Sequence, residues 1–227
     1  MGRHVSYDTQ TINSPNPIAR FAHRTRASRS VALATKYLPK GGTICDFGAG
    51  TGLFLTGLGD SRPDAKLYAV EPYMPASADT RIRYVSDFSG LSEKLDLLVC
   101  FETCEHLSDD QLNAFLEEGA KSLRSTGTLI VSVPIMMGPV LLLKELNRAF
   151  LFRRKSDYSL SELIAGTFAR PVERAANRLP THKGFDFRWL RQMISQYFTV
   201  EEEFYSPLPL PWWANSQVFL VCRPGAS

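Results

Sequence analysis

The sequence predicts an α/β protein: a doubly wound, mostly parallel seven-stranded sheet ending in a C-terminal antiparallel hairpin. Three observations carry this. Short β-forming runs alternate with helix-periodic segments from Thr43 to Val133. Leu95–Phe101 (LDLLVCF) is apolar almost throughout, as in a parallel strand covered on both faces. Two further β-forming segments, Phe198–Phe204 and Ser216–Cys222, are joined by a proline-rich connector, Ser206 to Trp213, and fit an antiparallel pair at the sheet edge.

Taken in order, residues 1–17 are polar, end in Ser-Pro-Asn-Pro, and read as a loose arm. Pro17 suits the first turn of a helix reaching about Leu38. Its apolar positions are Ile18, Phe21, Val31, Leu33, Ala34 and Leu38, and its basic ones Arg20, His23, Arg24, Arg26 and Arg29. The basic side is either a solvated face or a flap that meets an anionic ligand. Lys40-Gly41-Gly42 turns into a strand, Thr43–Phe47, followed by a short helix from Leu53 to about Leu58 that Gly59–Asp64 breaks. Strands follow at Leu67–Val70 and Ile82–Val85, separated by a loop with two prolines. After Leu95–Phe101 comes a helix over Asp109–Leu123, with Leu112, Phe115, Leu116, Ala120 and Leu123 at helical spacing and two acids in its first turn. Arg124–Gly127 reads as a turn, and Thr128–Val133 as a strand stopped by Pro134.

The segment 135–181 is irregular. A helix over Pro139–Phe152 would put Leu142, Leu146, Ala149 and Phe150 on one side and end in Arg153, Arg154 and Lys155. Such a helix either packs on its own domain, with cations at its C-terminus, or serves as a lid or membrane-facing surface. Ser159–Phe168 reads as a second short helix, Ala169–Pro180 as a loop, and Asp186–Tyr197 as a helix. The organisation is therefore an arm and helix (1–39), a core (40–134), an inserted helical segment (135–181), and a helix with a strand pair completing the core (182–227).

Composition narrows the function. The chain has 227 residues, 44% of them hydrophobic, enough for one substantial domain with an appendage. A net charge of +3, without a basic patch interleaved with aromatics, speaks against a nucleic-acid partner. Cys45, Cys100, Cys104 and Cys222 mostly lie in or beside apolar runs and read as free thiols in a reducing, cytoplasmic setting. The N-terminus lacks a signal-type apolar core, and no segment reaches the ~18 apolar residues of a membrane span. Four histidines and scattered carboxylates show no ligand spacing, so no metal is expected.

The chemistry gathers at strand ends. Thr43–Phe47 runs into Gly48, Ala49, Gly50 and Gly52, a GxGxG loop through which backbone can approach a ligand closely, with helix amides beyond it. Glu71, Asp87, Glu102 and Pro134 also follow strands. In a doubly wound sheet such positions line one crevice. Their spacing supports a nucleoside-type ligand. Glu71 can accept two adjacent ribose hydroxyls, Asp87 an exocyclic amine, and Phe88 can lie on a base.

These residues resemble those of the class I S-adenosylmethionine-dependent methyltransferases, and most closely a small-molecule branch that includes ubiquinone-biosynthesis methyltransferases. The matching pieces are DFGAGTG at Asp46–Gly52, the strand ending at Glu71, SDF at Ser86–Phe88, DLLVCFETCEHL at Asp96–Leu107, GTLIVSVP at Gly127–Pro134, and His182-Lys183-Gly184-Phe185 with Phe187. The resemblance implies a Rossmann-like methyltransferase fold with S-adenosyl-L-methionine as cofactor. Asp46, Gly48, Ala49, Gly50 and Gly52 would then hold its methionine portion. Glu71 would take the ribose, Asp87 and Phe88 the adenine, and Glu102 and Thr103 would sit beside the sulfonium. His106 and His182 are the candidates for a catalytic base, each with an alternative supporting role. The implied reaction is methyl transfer to a small-molecule acceptor, foremost O-methylation of a partly apolar or lipidic one, with peripheral membrane contact through 136–155. Alternatives are N- or C-methylation of a glycan, peptide or other metabolite, and a non-catalytic interaction module.

Overall fold

The computed structural model describes residues 17–72, 76–152, 155–175 and 181–225. The arm at 1–16, and Arg153, Arg154 and 176–180, lie outside the described residues. The strands are β1 (Thr43–Phe47), β2 (Lys66–Val70), β3 (Ile82–Val85), β4 (Leu95–Phe101), β5 (Leu123–Pro134), β6 (Phe198–Ser206) and β7 (Gln217–Pro224). They form one seven-stranded sheet in the order β3-β2-β1-β4-β5-β7-β6. The first five are parallel, and β7 runs antiparallel between β5 and β6. This is the expected doubly wound sheet with its C-terminal hairpin.

Alternation along each strand explains why both faces are covered. Ile44, Leu97, Val99, Ile130, Phe219 and Val221 point to one face. There they meet Leu33, Ala34 and Leu38 at the end of helix α1 (Pro17–Tyr37), and Leu55 and Leu58 of α2 (Leu53–Ser61). Cys45, Leu98, Cys100, Leu129, Val131, Val218 and Leu220 point to the other. There they meet Leu112, Phe115 and Leu116 of α3 (Asp109–Ser122), and Phe187, Leu190 and Ile194 of α6 (Phe187–Ile194). Period-two strands that are apolar at every position must be buried on both sides. All four cysteines are buried and free.

Three local expectations differ from the structure. Helix α2 continues through Gly59 to Ser61, where the Ser61 hydroxyl and the Arg62 N–H both donate to the Leu58 carbonyl. Gly59 lies close against Leu67, so here the glycine serves packing rather than termination. Arg124–Gly127 is the start of β5, not a turn: Leu123 pairs with Leu95, and the register then shifts before Thr128 pairs with Leu97. In α4 (Pro139–Phe152) the buried positions are Leu141 and Glu145, while Leu143, Leu146 and Ala149 are exposed. The side chain of Phe150 lies outside the described residues. Helix α5 (Leu160–Thr167) packs against α4 and starts with a capping box, in which Ser159 and Glu162 exchange side-chain and backbone bonds.

Candidate functional site

The glycine loop is shaped by its backbone. Gly48, Gly50 and Gly52 all have positive φ, at 79°, 53° and 75°. Only glycine adopts such angles without strain. The Gly48 N–H donates to the Val70 carbonyl and the Gly50 N–H to Glu71 Oε2, each at 2.9 Å, so the loop is tied to the end of β2. A Cβ on Gly48 would stand 2.3 Å from Thr103 Oγ1, so this loop and the one after β4 touch.

These loops bound a cleft of about 1340 Å3 at the carboxyl ends of the parallel strands. Asp46, Gly48, Ala49, Gly50 and Glu71 line it from β1 and β2, and Glu102, Thr103 and His106 from the loop after β4. Phe88 and Phe47 stack at 5.7 Å and 7°, and with Phe115 form its aromatic side. Arg26, Ala27, Ser30 and Val31 of α1 bound it opposite. The basic side of α1 is thus no purely solvated face.

Electrostatics distinguish the carboxylates. Asp46 is buried, and burial, helped by the Glu71 charge, pushes its carboxyl up to about 8. Glu102 has a positive φ of 53° and accepts from Arg26 Nη1 at 2.6 Å and from the Gln217 amide. Burial raises its carboxyl, opposed by Arg26 and then Lys144. The Lys144 amine donates to the Ile135 carbonyl at 2.9 Å and the Ser216 carbonyl at 3.3 Å, and burial pulls it down to about 8. Glu105 is buried completely, and burial, with Glu102 next, drives its carboxyl well up. His182 is driven down to about 4 by burial and then by His106, and is neutral at physiological pH.

Asp87 is not among the residues lining the cleft. It caps a short turn, Phe88–Gly90, by accepting from the Ser89 N–H at 2.8 Å and from the Ser89 hydroxyl. Gly52 is also set back from the lining, with Tyr84 and Ser77 beside it. His106 lines the cleft and its ring centroid stands 4.9 Å from that of His182, which lies behind it. Sequence reasoning missed Phe47 and Phe115 as cleft walls, and also Lys144, Gln217 and Arg174. Arg174 donates to the Glu105 carbonyl at 2.7 Å and lies over the rings of Phe185 and Trp189. The strand end beneath Phe47 is the one signal that could have found that ring.

The sheet order and a strand-end cleft with a glycine loop and buried acid define the class I S-adenosylmethionine-dependent methyltransferases. The chain belongs to the family described as "Methyltransferase domain", whose model matches residues 19–163. A carboxy-S-adenosyl-L-methionine synthase from Campylobacter jejuni subsp. doylei is 27% identical over 145 residues, covering 59% of this chain. The chain's match spans 62% of that relative's length. Among solved structures, PH0226 protein from Pyrococcus horikoshii OT3 superposes with a TM-score of 0.60 at 17% identity, over 96% of both chains. The 1,6-didemethyltoxoflavin-N1-methyltransferase of Burkholderia thailandensis, solved with S-adenosylhomocysteine, gives 0.57 at 17% identity, over 88% of this chain and 78% of that one. The residues here fit the cofactor of this class. Gly48 and Gly50 bring backbone to the cleft at φ values that only glycine takes without strain, and Asp46 offers a buried carboxyl facing the same space.

Proposed function

We propose that this protein transfers a methyl group from S-adenosyl-L-methionine to the oxygen of a small, partly apolar or lipidic acceptor. The observation that supports it most is the single cleft on which Asp46, Gly48, Gly50, Glu71, Phe88 and Glu102 converge. When bound, the cofactor supplies a methyl group on positively charged sulfur. Asp46 receives the ammonium of the methionine portion, and the glycine loop lets backbone approach it closely. Glu71, tied to the glycine loop through the Gly50 N–H, takes the ribose hydroxyls. Phe88 and Phe47 offer a flat apolar wall to the base. Glu102 and Thr103 border the methyl-bearing region, where oriented acceptors favour the cation. Alignment of nucleophile and methyl group then does most of the work. His106, on the cleft wall, takes the proton of a hydroxyl acceptor, and His182 stands behind it in support.

Calorimetry with S-adenosylmethionine tests the cofactor assignment. Binding is expected in wild type and a loss of roughly tenfold or more in Glu71→Ala; unchanged binding would remove Glu71 from the site. A labelled methyl donor, a cell extract and mass spectrometry then identify the acceptor, and label found only on nitrogen or carbon would exclude O-methylation.

The apolar acceptor is supported by surface on the inserted segment. Leu143 and Leu146 of α4 are exposed, as are Leu160 and Ile164 of α5 and Phe168 just after it, spaced four apart. No helix among the described residues is long and apolar enough to cross a membrane, so the proposed contact is peripheral. Flotation with vesicles containing anionic lipid is expected to carry the wild-type protein. Ile164→Ser with Phe168→Ser is expected to abolish it, and equal flotation would sink the membrane contact.

A further inference from the structure

Glu105 is the least satisfied charged group among the described residues. Its side chain is fully buried, and neither carboxylate oxygen has a hydrogen-bond partner. Nδ1 of His182 is also buried without a partner. It stands 3.8 Å from Glu105 Oε1, too far for a hydrogen bond. The nearby cations are engaged elsewhere: Arg26 bonds Glu102, and Lys144 bonds two main-chain carbonyls. A buried carboxylate with no donor is expensive unless something positive meets it.

His106 completes the arrangement. One ligand atom each from Glu105, His106 and His182 lie within 4.8 Å of one another. Metal–ligand bonds of about 2.0–2.2 Å place ligand atoms roughly 3–4 Å apart, so a short closing movement puts all three on one ion. The support is built rather than incidental. The His106 N–H donates to the Thr103 carbonyl, Arg174 holds the Glu105 carbonyl, and the Phe185 N–H donates to the His182 carbonyl. Two imidazoles and one carboxylate form a borderline donor set that suits first-row divalent ions better than magnesium or calcium.

We propose that Glu105, His106 and His182 bind a divalent first-row transition-metal ion at the edge of the cleft. This departs from the expectation of no metal, which rested on sequence spacing. Three protein ligands leave positions for water or for an oxygen-bearing molecule in the cleft that His106 lines. The site stands on its own geometry and does not depend on the methyl-transfer reading, but an ion there replaces the base role of His106, whose ring nitrogen it would hold.

The test uses the full chain, stripped with chelator and titrated with Co2+, read by visible absorption and by metal content after dialysis. A single ion per chain is expected, with affinity lowered roughly a hundredfold in both Glu105→Gln and His182→Ala. Thermal melting gives a second readout that also shows whether each variant folds. Without metal, Glu105→Gln is expected to melt close to wild type, since glutamine keeps the shape of the side chain. With Co2+, the wild type is expected to gain stability and Glu105→Gln to gain none. No Co2+ binding overturns the proposal, and so does equal binding in wild type and both variants, since the ion would then sit on other groups.

Discussion

Asp46→Asn is expected to weaken S-adenosylmethionine binding by about a hundredfold, while raising the melting temperature of the ligand-free protein. Both effects come from one buried carboxyl. Asp46 sits at the end of β1, and burial with the nearby Glu71 charge lifts it from 3.8 to about 8. The folded protein therefore holds a proton that the unfolded chain releases. The sign follows: this contribution is full below 3.8 and is lost as pH rises to about 8. Near pH 8 the ionised Asp46 costs the empty protein most, and asparagine, which keeps the shape without the charge, should recover about 1–3 kcal/mol. A ligand ammonium reverses the balance by favouring the ionised form. Binding near neutral pH should therefore expel a proton from Asp46, and wild-type affinity should climb from pH 6 toward 8. An α-amino group loses its own charge at about 7.7–8.0, which ends the climb. Calorimetry in two buffers of different ionisation enthalpy reads the proton directly. The variant should show a smaller proton release as well as weaker binding, and an asparagine variant that binds equally well would remove Asp46 from the cofactor site.

The sheet was legible because its signals are local. β1, β3 and β4 begin and end where apolar runs meet glycine, proline or charge, and α4 begins at its proline. The faces of α4 were not legible, because Lys144, Glu145, Asn147 and Arg148 interrupt its apolar residues and the buried side includes an acid. What chose Leu141 and Glu145 as the buried side was tertiary: Leu141 lies close over Gly166 of α5, and the Ser156 hydroxyl donates to Glu145. Asp87 had a local signal that went unread. A serine two residues beyond an aspartate is the pattern of a side chain capping its own turn, and that is what its carboxylate does. Arg26 could be placed on a basic helix but not singled out, since only the packing of α1 across the sheet brings it to Glu102. The Glu105, His106 and His182 cluster is the extreme case. The histidines are far apart in sequence and meet only because the β4 loop and the segment before α6 close on each other. Spacing rules detect ligands that share a helix or a hairpin, and these share neither.

Gly48→Ala should be strongly damaging, and Gly41→Ala separates its causes. Both glycines have positive φ, 79° and 67°. A Cβ on Gly41 meets nothing within 4 Å, so alanine there costs only the backbone strain of a left-handed residue, about 1–2 kcal/mol. A Cβ on Gly48 meets Thr103 at 2.3 Å from Oγ1, 2.5 Å from Cγ2 and 2.9 Å from Cβ. Overpacking of this kind adds about 1–3 kcal/mol. Thr103 cannot yield cheaply, because its hydroxyl donates to the Phe101 carbonyl at 3.1 Å and the preceding Glu102 is already at positive φ. Relief must therefore move the whole β4 loop, which carries Glu102 away from Arg26 and Gln217 and alters the cleft. Chemical denaturation should show Gly48→Ala losing clearly more stability than Gly41→Ala, with cofactor binding lost in the first and kept in the second. Adding Thr103→Ala removes Oγ1 and Cγ2 but leaves Cβ and the strained φ, so the double variant should recover only part of the difference. Equal costs at the two glycines would mean that the two loops do not touch in solution, and that the cleft is held open by something other than their contact.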